Sequence, residues 1–183
     1  MGFIHFFKRA VVNWLSKRRH DVALSYARGD LLDIGCGYNE LVKRYGKGIG
    51  VDVYDWGVPG VIVVKNASNL SFEPKSFDTV TLLACLNHIP DREGLLREVY
   101  RVLRDDGQLI VTMIGPVISR LWHAFIREED NDQSMRQKKE GEVWGFTFSQ
   151  IDAMFRQAGF RVCIHKRFIF GLNHVYVAKK VKK

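Results

Sequence analysis

A glycine turn set between two carboxylates is the part of this chain most suited to chemistry. Leu31-Leu32-Asp33-Ile34-Gly35-Cys36-Gly37 is followed by Gly50-Val51-Asp52. Leu31, Leu32 and Ile34 suit a short buried strand. Gly35 and Gly37 let the backbone turn sharply and pass close to a ligand. Asp52, at the tip of a second apolar strand, is positioned to accept hydrogen bonds from ribose hydroxyls. The two strand tips together predict a nucleoside-binding site. The plainer alternative is an ordinary strand–glycine–helix turn with a surface Asp, and the second strand at the expected distance favours the nucleoside site.

These residues need a sheet to hold them, and the apolar pattern supplies one. Strand 31–34, helix 39–45 and strand 48–53 come first. A link containing Gly57, Pro59 and Gly60 leads to strand 61–64, leaving room only for a trimmed helical element. Strand 78–83, helix 92–103, a turn at Asp105-Asp106-Gly107 and strand 108–114 follow. A long excursion, 115–147, carries Trp122, His123, Phe125, Met135, Trp144 and Phe146 around a mixed charge run and reads as a substrate lid or as ordinary packing. Ser149 is the expected N-cap of the next helix and Gly159 its end, before strands 161–168 and 173–180. Strands alternating with helices predict one α/β domain over 1–183, with a mostly parallel sheet covered on both faces.

Composition sets the outer bounds. The 183 residues are 46% hydrophobic and 26% charged, as in a globular protein, with no internal repeat. No apolar run approaches the ~20 residues of a membrane span. Lys8 and Arg9 interrupt the apolar N-terminus, and Phe6 stands where myristoylation prefers Ser or Thr, so a cytoplasmic location is expected. Cys36, Cys85 and Cys163 are too far apart for a ligand motif and read as buried thiols, so no metal is expected. The net charge of +8 favours anionic partners, with simple solubility the plain alternative. Within 1–28, Phe3, Phe7, Val11 and Trp14 recur at helical spacing beside Lys8, Arg9, Lys17, Arg18 and Arg19. That basic amphipathic helix is expected to pack on the sheet or cap the site, with peripheral contact to an anionic membrane or nucleic acid as the sharper reading.

Asp33-Ile34-Gly35-Cys36-Gly37 resembles motif I of the class I S-adenosylmethionine-dependent methyltransferases, and Gly50-Val51-Asp52 resembles their motif II. Asn66-Ala67-Ser68-Asn69-Leu70, Ser76 to Val80, Leu86 to Asp91 and Leu95 to Gln108 fit further segments of the pattern in order. The resemblance covers residues 30 to 114 closely. It implies a Rossmann-like, doubly wound seven-stranded sheet with an antiparallel C-terminal hairpin, and S-adenosyl-L-methionine as cofactor. Asp33 would meet the amino end of the methionyl moiety, Gly35 and Gly37 would approach the cofactor, and Val53 would pack on the adenine. Asn66 and Ala67 would hold the adenine edge, and Ala84 would line the methionyl end. Asn39 stands where the family often has a third glycine, and Asn tolerates the left-handed backbone.

The resemblance also implies an acceptor site around Asn87 and His88, with Trp122 and Trp144 as further contacts. His88 could serve as general base, its intrinsic pKa being near neutrality, or could simply hydrogen-bond its own loop. The leading reading is methyl transfer to a small molecule, lipid-like or quinone-like. RNA or protein methylation and a degenerate cofactor-binding scaffold are the alternatives. A nicotinamide dehydrogenase is disfavoured, because Glu40 occupies the last glycine position of its fingerprint.

Overall fold

The computed structural model describes residues 2–115, 143 and 145–181, with side chains from Phe6 onward. Helix α1 (Gly2–Leu24) precedes β1 (Leu31–Ile34), α2 (Glu40–Tyr45), β2 (Gly48–Asp52), β3 (Val61–Val63) and β4 (Phe77–Leu83). A short 3-10 turn (Leu86–His88), α3 (Arg92–Val102), β5 (Leu103–Ile114), α4 (Phe148–Gln157), β6 (Phe160–Phe168) and β7 (Asn173–Lys180) complete the order. The strands form one seven-stranded sheet, β3-β2-β1-β4-β5-β7-β6. Strands β3 to β5 are parallel, and β7 enters antiparallel between β5 and β6. The carboxyl ends of the five parallel strands therefore share one edge, the usual ligand-binding edge of an open α/β sheet.

Side-chain alternation divides the core between the two faces. Leu32, Ile34, Val80, Leu82, Val111 and Tyr176 pack with Leu95, Leu96 and Val99 of α3 and with Ile151 and Phe155 of α4. Leu31, Ile110, Val175 and Val177 lie on the opposite face with Ala23 of α1 and Leu41 of α2. A strand buried on both sides reads as a nearly continuous apolar run, which is why 31–34 was legible.

Several local expectations need correction. Helix α4 is capped by Thr147, not Ser149: the Thr147 hydroxyl accepts from the Gln150 N–H, and the Gln150 side chain accepts from the Thr147 N–H. That reciprocal capping box satisfies two helix-end donors, whereas a Ser149 cap would satisfy one. Helix α3 passes directly into β5 at Leu103, without the separate turn expected at Asp105 to Gly107. Phe77 pairs with Leu103 and Thr79 with Gln108, so the intervening residues form an irregularity within the strand. Between β2 and β3 the described chain has bends and turns but no helical element. Cys85 is buried as expected, while Cys36 is half-buried and Cys163 exposed.

The inward face of α1 also differs from the expected stripe. Leu15 and Ala23 are its buried apolar residues, while Phe7 and Trp14 are exposed. Helical spacing identifies a stripe but cannot say which stripe meets the sheet.

Replacing Thr147 by Ala should lower unfolding free energy by about 1 kcal/mol. Urea titration should show an earlier midpoint with unchanged slope, and an unchanged midpoint would contradict the capping role.

Candidate functional site

The carboxyl edge brings together the two carboxylates on which the sequence reading rests. Asp33 lies level with Thr81 across the β1–β4 ladder, and the Thr81 hydroxyl donates to Asp33 Oδ1 at 2.6 Å. Asp52 ends the neighbouring strand β2. Its Oδ2 accepts from the Gly37 N–H at 2.9 Å and its Oδ1 from the Tyr54 N–H at 3.0 Å. The Gly35 and Cys36 N–H groups both donate to the Val51 carbonyl, at 2.9 and 3.1 Å. The turn is thus tied to the tip of β2 by backbone bonds and by the Asp52 carboxylate.

The two motif glycines serve different purposes. At Gly35, with φ of 75°, an added Cβ would approach the Cys85 side chain to 2.9 Å, so close packing excludes a side chain. At Gly37, with φ of 52°, a Cβ would meet no heavy atom of the described residues within 4 Å, so the backbone there borders open space among them. Asn39 occupies the left-handed region, with φ of 61°, as expected for the residue standing in for a third glycine. Its amide nitrogen donates to the Gly60 carbonyl at 3.4 Å.

The other expected cofactor residues lie along the same edge. Val53 is exposed just past β2. Asn66 is exposed, and its side-chain oxygen accepts from the Ser68 N–H at 2.9 Å, while Ala67 beside it is buried. Ala84 follows β4 in a left-handed conformation, with φ of 55°, and donates its N–H to the Thr112 carbonyl of β5 at 2.9 Å.

Asn87 and His88 lie in the short turn after β4. The Asn87 amide nitrogen is 3.1 Å from His88 Nε2, and its carbonyl accepts from the Val143 N–H at 3.1 Å and from Arg92 at 3.2 Å. The Arg92 guanidinium stands over the Phe146 ring at 5.1 Å. The returning end of the 115–147 excursion is therefore fastened to this turn. Trp122 and Trp144 lie outside the described residues.

Some site features were missed by sequence reading. Thr81 looks like any β-branched strand residue, and its bond to Asp33 depends on strand register. Tyr38, Tyr54 and Trp56 form an aromatic cluster, with ring centroids 5.1 and 4.8 Å apart for the two pairs sharing Trp56. Tyr38 follows the glycine turn and Tyr54 follows β2, so their neighbouring positions in the motifs were the available signal. Among the described residues no group of three or more His, Cys, Asp and Glu is arranged to hold a metal ion.

Burial is the main influence on Asp33, raising its pKa; the Thr81 hydrogen bond opposes this and the nearby Asp52 charge adds to it. The result is a carboxyl group pushed up to about 7. Such a group favours a cation in its vicinity, because a positive charge stabilises the ionised form that burial penalises.

A glycine turn tied to a strand-tip carboxylate, a second carboxylate beside it and the order 3-2-1-4-5-7-6 define a nucleoside-site α/β domain. A family model described as a methyltransferase domain matches residues 32–111. An uncharacterized protein of Methanocaldococcus jannaschii is 28% identical over 194 residues, covering 83% of this chain and 76% of that protein. A demethylmenaquinone methyltransferase of Lactiplantibacillus plantarum is 28% identical over 131 residues, covering 64% of this chain. That match spans only 55% of the relative's own length. A crystal structure of a SAM-dependent methyltransferase from Methanosarcina mazei shares the fold, with a TM-score of 0.64 and 22% identity, covering 87% of this chain and 96% of that one. The domain match over residues 32–111 and the shared fold support a class I S-adenosylmethionine-dependent methyltransferase. The same findings support an enzyme that uses S-adenosylmethionine.

Asp33 supplies a pH test independent of activity. Its unfolded-state pKa is near 3.8 and its folded value is about 7, so the folded state holds the proton more tightly. Its contribution to stability is fully present below pH ~4 and is lost as pH rises through ~7. In the cofactor-free protein, Asp33→Asn should therefore match wild type near pH 4 and gain stability toward pH 8, by a few kcal/mol at roughly 1.4 per pKa unit. Equal melting shifts at both pH values would refute the buried-acid assignment.

Proposed function

We propose that this enzyme transfers the S-adenosylmethionine methyl group to a small-molecule acceptor of lipid-like or quinone-like character. The observation that carries the cofactor half is Asp52, ending β2 with both oxygens already oriented by backbone N–H groups. Its carboxylate would accept hydrogen bonds from the ribose hydroxyls. Gly35 and Gly37 would admit the cofactor to the turn, and Asp33 would offset its ammonium. Val53 would cover one adenine face, with Asn66 and the Ala67 N–H at its edge and Ala84 beside the methionyl chain. The buried acid, the open space at Gly37 and the left-handed backbone at Asn39 and Ala84 all fit that cofactor.

When bound, the cofactor supplies an electrophilic methyl group with a neutral thioether as leaving group. The chain's own task is then to position the acceptor, exclude water and remove a proton where the acceptor carries one. Asn87 and His88 would act at the acceptor end, with Trp122 and Trp144 as contacts from the excursion. His88 would be the base. Its Nε2 already interacts with the Asn87 amide, so an acceptor proton would reach the ring by displacing that amide. The name of the demethylmenaquinone relative supports a quinone-like acceptor, as does the aromatic character of the excursion and of its fastened end at Phe146.

Calorimetric titration of S-adenosylmethionine into wild type and Asp52→Ala tests the cofactor assignment. Binding to wild type should weaken at least about tenfold in the variant, the worth of one charge-assisted hydrogen bond. No binding to the folded wild type would favour a degenerate scaffold, and equal binding would remove Asp52 from the ribose. Against quinone and phenolic acceptors with labelled methyl groups, His88→Gln should lower kcat about a hundredfold while leaving cofactor affinity unchanged. An unchanged kcat would assign His88 to the loop alone.

A further inference from the structure

The N-terminal half of α1 contributes none of the residues assigned to the cofactor site, and its outer surface combines exposed aromatic rings with cations. Phe6, Phe7 and Trp14 are 72, 56 and 46% exposed. Phe7, Ala10 and Trp14 follow i, i+3, i+7 spacing, so they share one strip of the helix, with Phe6 beside it. Arg9, Lys17 and Arg18 are exposed as well: Arg9 and Arg18 lie to either side of the strip, and Lys17 continues it one turn toward the helix C-terminus. The face packed into the protein is a different one, marked by Leu15 and Ala23.

The path of α1 sets where this strip sits. Near the helix C-terminus, the Tyr26 carbonyl accepts from Gln108 and Arg28 binds the Asp106 carbonyl, both at the amino end of β5. Earlier in the helix, Arg19 donates to Asn173 at 3.3 Å, and Asn173 is the register partner of Ile114 at the carboxyl end of β5. Followed backward, α1 crosses from the amino edge of the sheet to the carboxyl edge. The helix before Arg19, roughly 25 Å at 1.5 Å per residue, therefore lies toward the edge that carries Asp33, Asp52, Asn87 and His88.

We propose that this strip docks the enzyme on an anionic lipid membrane. Phe6, Phe7 and Trp14 enter the boundary between headgroups and acyl chains, while Arg9, Lys17 and Arg18 meet the anionic headgroups. Exposed aromatic rings with cations flanking and continuing their strip are the pattern of an interfacial helix. A nucleic-acid surface would place cations along a groove that follows the phosphates, and a convex helix with aromatic residues at its centre offers none. The surface is separate from the cofactor site, and the inference does not depend on the identity of the acceptor.

Co-sedimentation of the whole protein with phosphatidylglycerol/phosphatidylcholine vesicles, against phosphatidylcholine alone, tests it. The expected result is at least about tenfold stronger partitioning onto the anionic vesicles, reduced by salt. Phe7→Ser/Trp14→Ser and Lys17→Glu/Arg18→Glu should each lose about tenfold, Trp14→Phe should retain binding, and S-adenosylmethionine affinity should be the same in all. That last readout separates failure of docking from failure of the cofactor assignment. Equal partitioning onto neutral vesicles, or wild-type binding by both double variants, would overturn the proposal. So would single-stranded RNA that displaces the protein from the vesicles.

Discussion

The burial of a carboxylate in a strand covered on both faces is the constraint around which this molecule is organised. Strand β1 is hydrogen-bonded to β2 on one side and β4 on the other, and all four of its residues are buried. Asp33 ends up inside that environment with Thr81 as its hydrogen-bond partner. Burial penalises the charge there, so Asp33 keeps its proton up to about pH 7, and a nearby cation would favour the ionised form. Stability is thereby given up at the site where a positively charged ligand can restore it.

The two edges of the sheet divide the remaining work. The amino edge is closed by polar contacts among chain segments: Arg104 joins Asp30 and Asp78, Lys47 pairs with Asp30, and Gln108 binds the Tyr26 carbonyl. Exposed ion pairs contribute little singly, but here several charges converge on the segment that connects α1 to β1. The carboxyl edge remains available because its glycine turn is held by backbone bonds to Val51 and Asp52. Helix α1 links the edges, anchored at one and leading to the other. The same length of helix can thus close the fold and present a separate surface.

Legibility followed the range of the interactions. The parallel sheet and the glycine turn were readable because each is encoded by a local apolar run or by residues adjacent in sequence, while the antiparallel C-terminal hairpin was implied by the family resemblance. The cap of α4 was misplaced by two residues because Ser149 and Thr147 are both competent caps, and only the reciprocal bond with Gln150 distinguishes them. The expected stripe of α1 was misassigned because an amphipathic helix with aromatics on one side and aliphatics on another has two candidate inner faces. Thr81 carried no signal at all, since its significance comes from register with a residue 48 positions away.

By itself, the sequence determined the class of fold, the positions of the two carboxylates and the turn that separates them, because strand formation and sharp turns depend on neighbouring residues. Tertiary structure decided the protonation behaviour of Asp33, the fastening of residues 143 and 146 to the Asn87 turn, and the exposure of Phe6, Phe7 and Trp14. Each of these depends on which distant segments lie alongside. Desolvation, register and burial are properties of packed surfaces, and composition and spacing constrain them without specifying them.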